Sequence, residues 1–252
     1  MPTYRPFQLV RVTKLRASPE QYDGWKLNQR APRLGDVGTV VEVSGGTEER
    51  FVVECAGPTG VPEWRGELSA EELQPVGTTP TTPEEALSLL EQLGAPARLV
   101  RHHELVVEAA ELLVRSLVRE FALRVDAQRV LVGAALHDVG KLQHPDELRI
   151  PGNAHERAGE ALLLARGVSP AVARFCWTHA AWTSPEVDLE DLLVATADKL
   201  WRGKRETGLE QRLVAAIAAA TGVPAWETFS RADEIFGQVA AAGDERLERS
   251  RS

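Results

Sequence analysis

All six histidines of the chain fall between His102 and His179, with none in the first 101 residues or the last 73. Imidazole is a common metal ligand and a proton carrier near neutral pH, so this clustering points to a site. In chain order the positions that stand out are Arg101-His102-His103, His137-Asp138, His155, His179 and Asp198. Several lie beside apolar runs: Leu99-Val100 precedes the first, Ala134-Ala135-Leu136 the second and Ala195-Thr196-Ala197 the last. Burying a lone carboxylate costs several kcal/mol unless it is paired or binds a metal, so Asp138 and Asp198 are expected to have partners. Histidines and carboxylates together are the usual ligands of Zn, Mn, Fe, Co or Ni. Lys141 follows His137 by one helical turn. Arg202 and Arg205 follow Asp198 by four and seven residues, on one face if that helix runs past Gly203.

The elements that must position these residues are helical from about residue 83 onward. Thr82 can cap a helix with Pro83 at its first position and Glu85 completing a capping box, and Gly94 can end it. The next helix spans Ala97 to Phe121, with Leu99, Val106, Ala110, Leu113 and Leu117 on one face. Asp126 can cap a helix through Leu136, and further helices are expected over about 153–166, 170–181, 188–202, 206–221 and 224–242. Residues 1–76 read differently. Thr39–Val43 and Phe51–Cys55 are strand-like runs separated by the turn residues Ser44-Gly45-Gly46-Thr47, and Gly57–Gly60 supplies another turn. The segment Gly35-Asp36-Val37-Gly38-Thr39-Val40-Val41 resembles the opening of SH3-like small barrels, including KOW-type modules.

The expected fold is therefore α+β and multidomain: a small N-terminal β-barrel at 1–76, a linker at 77–82, an all-α domain at 83–243 and a charged, frayed tail at 244–252. A globular composition, 43% hydrophobic and 26% charged, excludes a wholly disordered chain. No run is long enough to span a membrane, no secretory signal is visible, and two cysteines are too few for a disulfide framework. The expected location is the cytoplasm. The net charge of −8 argues against a general nucleic-acid coat protein. Seven basic and two acidic residues in 1–33 read as a solvated face, with contact to a phosphate backbone as the alternative, so a nucleic-acid or protein partner for the barrel stays open.

The histidine and aspartate segments resemble the HD-domain metal-dependent phosphohydrolases. Ala135-Leu136-His137-Asp138-Val139-Gly140-Lys141 is similar to the segment that gives the family its name, and Ala197-Asp198-Lys199-Leu200 to the one carrying its last aspartate. His102, followed by Val106, Val107 and Ala110, matches the first histidine better than His103 does. The resemblance implies a metal held by His102, His137, Asp138 and Asp198. The extended form of the family, seen in HD-GYP phosphodiesterases and HD-type di-iron oxygenases, adds two histidines before the last aspartate. His155-Glu156, with Gly159 and Leu162, resembles the first of these segments, and His179 stands where the second is expected. A binuclear site is then implied: His102, His137 and Asp198 on one metal, His155 and His179 on the other, and Asp138 bridging. The Gly-Tyr-Pro signature is missing, so cyclic-dinucleotide specificity is not supported.

By this resemblance the function is hydrolysis of a phosphomonoester or phosphodiester, such as a nucleotide, with two divalent transition metals per chain (Mn, Fe, Co, Ni or Zn, with Mg as another option). Asp138 and Lys141 are the catalytic candidates, and Arg101, Lys141, Arg202 and Arg205 the substrate contacts. The rival functions are a di-iron oxygenase on the same ligands and a non-catalytic nucleotide-binding module. His103 and His144 are expected at the surface. Trp177, Trp182 and Trp201 are expected in the core, with base stacking as the alternative.

Overall fold

The computed structural model describes every residue except 1–3, 5, 19–20, 23–26, 45–48, 58–59, 78 and 251–252. The expected turns at 44–47 and 57–60 lie partly outside the described residues. The chain divides into two compact units, 1–79 with 163–169, and 80–162 with 170–252.

In the first unit, β1 (Leu9–Val12), β2 (Val37–Ser44), β3 (Arg50–Ala56), β4 (Pro62–Ser69) and β5 (Leu73–Pro75) form one antiparallel sheet in the order β4-β3-β2-β1-β5. Side-chain alternation sends Phe51, Val53 and Cys55 of β3, Trp64 and Leu68 of β4, and Val10 and Val12 of β1 into one core. The β2–β3 register skips Val41, a bulge that bends the strand. Asp36 anchors this unit by accepting hydrogen bonds from Arg30 (2.6 and 3.1 Å), the Trp64 indole (2.7 Å) and the Arg33 amide (2.8 Å). Part of the basic excess of 1–33 is committed to such internal pairs: Arg30 also binds Glu63, and Arg16 binds Glu71.

The helices are α1 (Pro83–Gln92), α2 (Ala97–Phe121), α3 (Ala127–Leu136), α4 (Ala154–Ala165), α5 (Pro170–Ala173), α6 (Phe175–Thr178), α7 (Leu189–Leu200), α8 (Thr207–Thr221), α9 (Ala225–Ala241) and α10 (Gly243–Arg249). Thr82 caps α1 by accepting the Glu85 amide at 3.3 Å, but the return arm of the expected capping box goes elsewhere. Glu85 reaches Thr81, accepting its amide at 2.7 Å and its hydroxyl at 3.0 Å. The apolar stripe of α2 is buried as its spacing predicts. Helices α3 and α7 run through the middle of this unit, with Ala134–Leu136 and Leu192–Asp198 buried without a break. Asp126 caps α3 by accepting the Arg129 amide at 3.0 Å.

Four expectations are corrected. The helix through Leu136 does not carry on to Lys141; a 3-10 turn over Val139–Leu142 follows it. The helix expected over 170–181 is broken into α5 and α6. Helix α7 stops at Leu200, and Gly203 takes φ +76°, a left-handed conformation that ends the run and separates Arg205 from the face of Asp198. The charged end is not frayed through Arg249. It forms α10, with Arg246 only 1% exposed, donating to Glu108 (3.0 Å) and to the Val239 carbonyl (2.8 Å). Among the described residues no helix is long and apolar enough to cross a membrane.

Removing the buried Arg246 guanidinium strands the Val239 carbonyl. Arg246→Ala is expected to destabilise the full chain by about 1–3 kcal/mol in denaturant unfolding. Exposed Glu248→Ala should change it by less than about 0.5 kcal/mol; equal effects from the two would show that α10 contributes nothing.

Candidate metal centre

Six side chains from five helices meet at one place in the helical unit. His102 comes from α2, His137 closes α3 and Asp138 follows it, His155 lies in the first turn of α4, His179 closes α6, and Asp198 lies in α7. His137 and His179 are set by the same local device. The last carbonyls of a helix lack intrahelical donors. His137 Nδ1 lies 2.9 Å from the Ala134 carbonyl and His179 Nδ1 3.0 Å from the Phe175 carbonyl, each ring folding back on its own helix. Each Nδ1 is therefore a donor, which leaves Nε2 of the neutral ring as a lone pair directed outward. His155 is fixed by a side chain instead: Glu147 binds its Nδ1 and accepts the amides of Ala154 (3.1 Å) and His155 (3.2 Å), closing the N-terminus of α4.

These constraints aim two triads at the two oxygens of one carboxylate. Asp138 Oδ2 lies 3.2 Å from His102 Nε2 and 3.7 Å from His137 Nε2. Asp138 Oδ1 lies 3.0 Å from His155 Nε2 and 3.7 Å from His179 Nε2. Asp198 Oδ1 joins the first group, 3.4 Å from His137 Nε2 and 4.0 Å from His102 Nε2. In each triad, His102-His137-Asp138 and Asp138-His155-His179, the donor atoms lie within 4.8 Å of one another.

The close approach of Asp138 to α4 is made by glycine. A Cβ on Gly140 would stand 1.9 Å from the His155 carbonyl oxygen and 2.5 Å from the Gly159 amide nitrogen. Only Gly140 lets the 3-10 turn behind Asp138 lie against the helix that carries His155.

The donor set fits a divalent metal on an observation independent of any relative. Among the described residues His102 Nε2, His137 Nε2, His155 Nε2 and Asp138 Oδ1 are buried and have no hydrogen-bond partner, as does His103 Nε2 beside them, although His155 Nε2 and Asp138 Oδ1 are 3.0 Å apart. They are near one another without the alignment of an N–H···O bond. Buried polar atoms are ordinarily satisfied, and convergent nitrogen and carboxylate donors are what Mn, Fe, Co, Ni and Zn take.

The electrostatics agree. Burial alone would raise the carboxyl of Asp138, but His137, His102, His155 and Lys141 together hold it well below the usual carboxylate range. Burial acts likewise on Asp198, where His137 and Lys199 prevail and lower it strongly. Burial would lower His137 and His155, yet their carboxylate neighbours raise both. His179 goes the other way: burial and the neighbouring His137 push it to about 4, so it is neutral and ready to ligate.

Of the expected substrate contacts, three face one open cleft of about 1370 Å³ beside the centre. Arg101, Lys141 and Arg202 line it together with His102, Glu147 and Trp201. Lys141 also binds Asp138, and Arg101 is held by Glu104 at 2.8 Å. Arg205 is not brought there; it pairs with Glu210 (2.7 Å) and Asp233 (2.5 Å) instead. Trp177 is buried beneath Arg157 and bonded to Glu160, Trp182 packs on the core, and Trp201 meets the ring of His102 at 5.0 Å.

His103 is not at the surface but fully buried, with Nδ1 3.1 Å from the Ala134 carbonyl that also receives His137. Burial keeps it neutral, far below its ordinary pKa, and it supports rather than joins the triads. Its place was readable: four residues after Leu99 and three before Val106, it continues the apolar stripe of α2. His144 is half-buried and outside both triads. Two positioning groups carried no strong sequence signal. Lys199 holds Asp198 Oδ2 at 2.7 Å, and Glu147 comes from a turn whose path was not evident.

Against known families, residues 99–203 match the HD domain, a span that contains all six candidate ligands. No curated protein and no solved structure matches the chain. Residues 99–203 are thus similar to the HD domain, whose members are mostly metal-dependent hydrolases.

Two outcomes follow. Because His137 and His155 hold protons above their ordinary pKa, a metal must displace them. Its affinity should fall as pH drops, beginning above the ordinary histidine value of about 6.5. Calorimetric titration of Mn²⁺ at pH 7 in buffers of different ionisation heat should report net proton release; none would contradict the assignment. Gly140→Ala should destabilise by about 1–3 kcal/mol and reduce the thermal stabilisation given by Mn²⁺, whereas unchanged melting with and without Mn²⁺ would refute the contact's role.

Proposed function

We propose that this HD domain is a phosphohydrolase with a binuclear centre, acting on a phosphomonoester or phosphodiester such as a nucleotide. The single observation that carries the reading is the division of Asp138 between two triads, Oδ2 toward His102 and His137 and Oδ1 toward His155 and His179. His102, His137, Asp138 and Asp198 would hold one metal, and Asp138, His155 and His179 the other. When bound, paired divalent metals supply water as a nucleophile at neutral pH and Lewis acidity toward phosphoryl oxygens.

The chain's own residues supply the rest. Asp138 and Asp198 stay ionised through the neutral range and provide anionic ligands. The Nδ1 contacts of His137, His155 and His179 prevent their rings from turning, so no reorientation is needed when substrate enters. Lys141 stands at the mouth, shared between Asp138 and the cleft, where its ammonium can meet a phosphoryl oxygen as charge develops. Arg101 and Arg202 add cations along the same wall.

The direct experiment is a screen of the purified chain against mono- and diester phosphates with Mn, Fe, Co, Ni, Zn and Mg. Metal-dependent phosphate release is expected. Oxygen consumption with bound iron and no phosphate release would favour a di-iron oxygenase, and nucleotide binding without turnover under every metal would favour a binding module. For the active metal, Lys141→Ala should keep the metal content while lowering kcat/KM by about 10²–10³-fold; undiminished kcat/KM would remove Lys141 from the site.

A further inference from the structure

The cleft beside the metal centre is larger and more basic than a single phosphoryl group requires. Its volume is about 1370 Å³, whereas pockets for ordinary small ligands hold about 300–1,000 Å³. Its wall carries Arg98, Arg101, Lys141, Arg149 and Arg202 against Glu91, Glu104 and Glu147.

The cations on this wall fall into two groups. Arg101 is satisfied by Glu104 and the Arg249 carbonyl (3.1 Å), and Lys141 by Asp138. Glu147 is taken up by His155. Arg98, Arg149 and Arg202 are exposed, and none of their side chains makes an ion pair among the described residues. Elsewhere in the helical unit Arg129, Arg157, Arg174, Arg205, Arg231 and Arg246 each hold a carboxylate, and the arginines that do not, Arg115, Arg119, Arg124 and Arg212, do not line this cleft. Three uncommitted arginines therefore line one hollow that His102 and Lys141 of the metal centre also line. They come from separate segments: the first turn of α2, the loop after α7, and the loop between the 3-10 turn at Pro145–Leu148 and α4. The last of these is anchored, because Glu147, two residues before Arg149, is bound to His155. Leu148, Ile150 and Pro151 give that same loop an apolar surface, with Ile150 65% exposed.

We propose that Arg98, Arg149 and Arg202 form a second anion subsite, and that the substrate is an organic phosphate carrying at least one phosphoryl group besides the one at the metals. Its non-phosphate part lies on Leu148, Ile150 and Pro151. The proposal rests on the phosphohydrolase reading for the placement of the first phosphoryl group. Guanidinium recognises phosphate oxygens through paired N–H donors, and each such contact gains strength from its neighbours in a shared hollow.

The test is binding, read without turnover, on the full chain stripped of metal and dialysed free of chelator. Adenosine 5′-monophosphate, adenosine 5′-triphosphate and inorganic tripolyphosphate are titrated by calorimetry. The triphosphate is expected to bind at least about tenfold more tightly than the monophosphate, the sum of three modest charge contacts. Tripolyphosphate should keep most of that gain and lose the part due to the apolar surface. The triple variant Arg98→Ala/Arg149→Ala/Arg202→Ala should bind mono- and triphosphate alike, with unchanged thermal melting, and the triple lysine variant should restore part of the preference. Equal affinities in the wild type, or a preference that survives in the alanine variant, overturn the subsite. Hydrolysis plays no part in this readout. A chain that prefers the triphosphate and cleaves nothing keeps the subsite while refuting the phosphohydrolase reading.

Discussion

Two carboxylates held out of water, Asp138 and Asp198, set the terms for the helical unit. Each is an anion in a place where an uncompensated charge costs several kcal/mol, and each faces imidazoles, of which His137 and His155 are raised in pKa by these carboxylates. The lysines answer part of the charge, Lys141 for Asp138 and Lys199 for Asp198. What they do not answer is the set of buried nitrogens with no partner. A bound cation satisfies carboxylates and lone pairs at once, so the arrangement makes physical sense as a metal centre and very little as a structural cluster.

The surrounding fold serves that constraint. Helix ends supply spare carbonyls that lock His137 and His179, a turn supplies Glu147 to lock His155, and glycine at 140 removes the Cβ that would push Asp138 away from α4. The mostly apolar buried faces of α3 and α7 place His137-Asp138 and Asp198 in the interior of the unit. Beside the centre lies the cleft, lined by His102 and Lys141 and by the exposed, unpaired Arg98, Arg149 and Arg202.

Much of this was legible because ligand chemistry leaves polar residues where burial demands apolar ones. The adjacent pair His137-Asp138 after three apolar residues, and Asp198 inside another such run, are visible without coordinates. Helix existence was legible for the same reason, since periodicity and caps are local. What escaped was set by tertiary contact. Arg205 depended on whether α7 passed Gly203, whose left-handed φ of +76° ends the run. Glu85 found Thr81 rather than Thr82, a choice between adjacent donors. Arg246 looked like tail because its partner, Glu108, is more than a hundred residues away. In the first unit the sheet follows from alternation, while closure into a barrel depends on edge strands that no local pattern determines.

The central claim is that Asp138 serves two metals, and the most direct measurement is the metal-to-chain ratio by elemental analysis, in the wild type and in His179→Ala. His179 Nε2 lies 3.7 Å from Asp138 Oδ1 and belongs to the second triad, although its ring also packs on His137 at 4.9 Å, so its loss should empty one position and spare the other. The account predicts two metals per chain falling to one; one metal per chain in both proteins would contradict it.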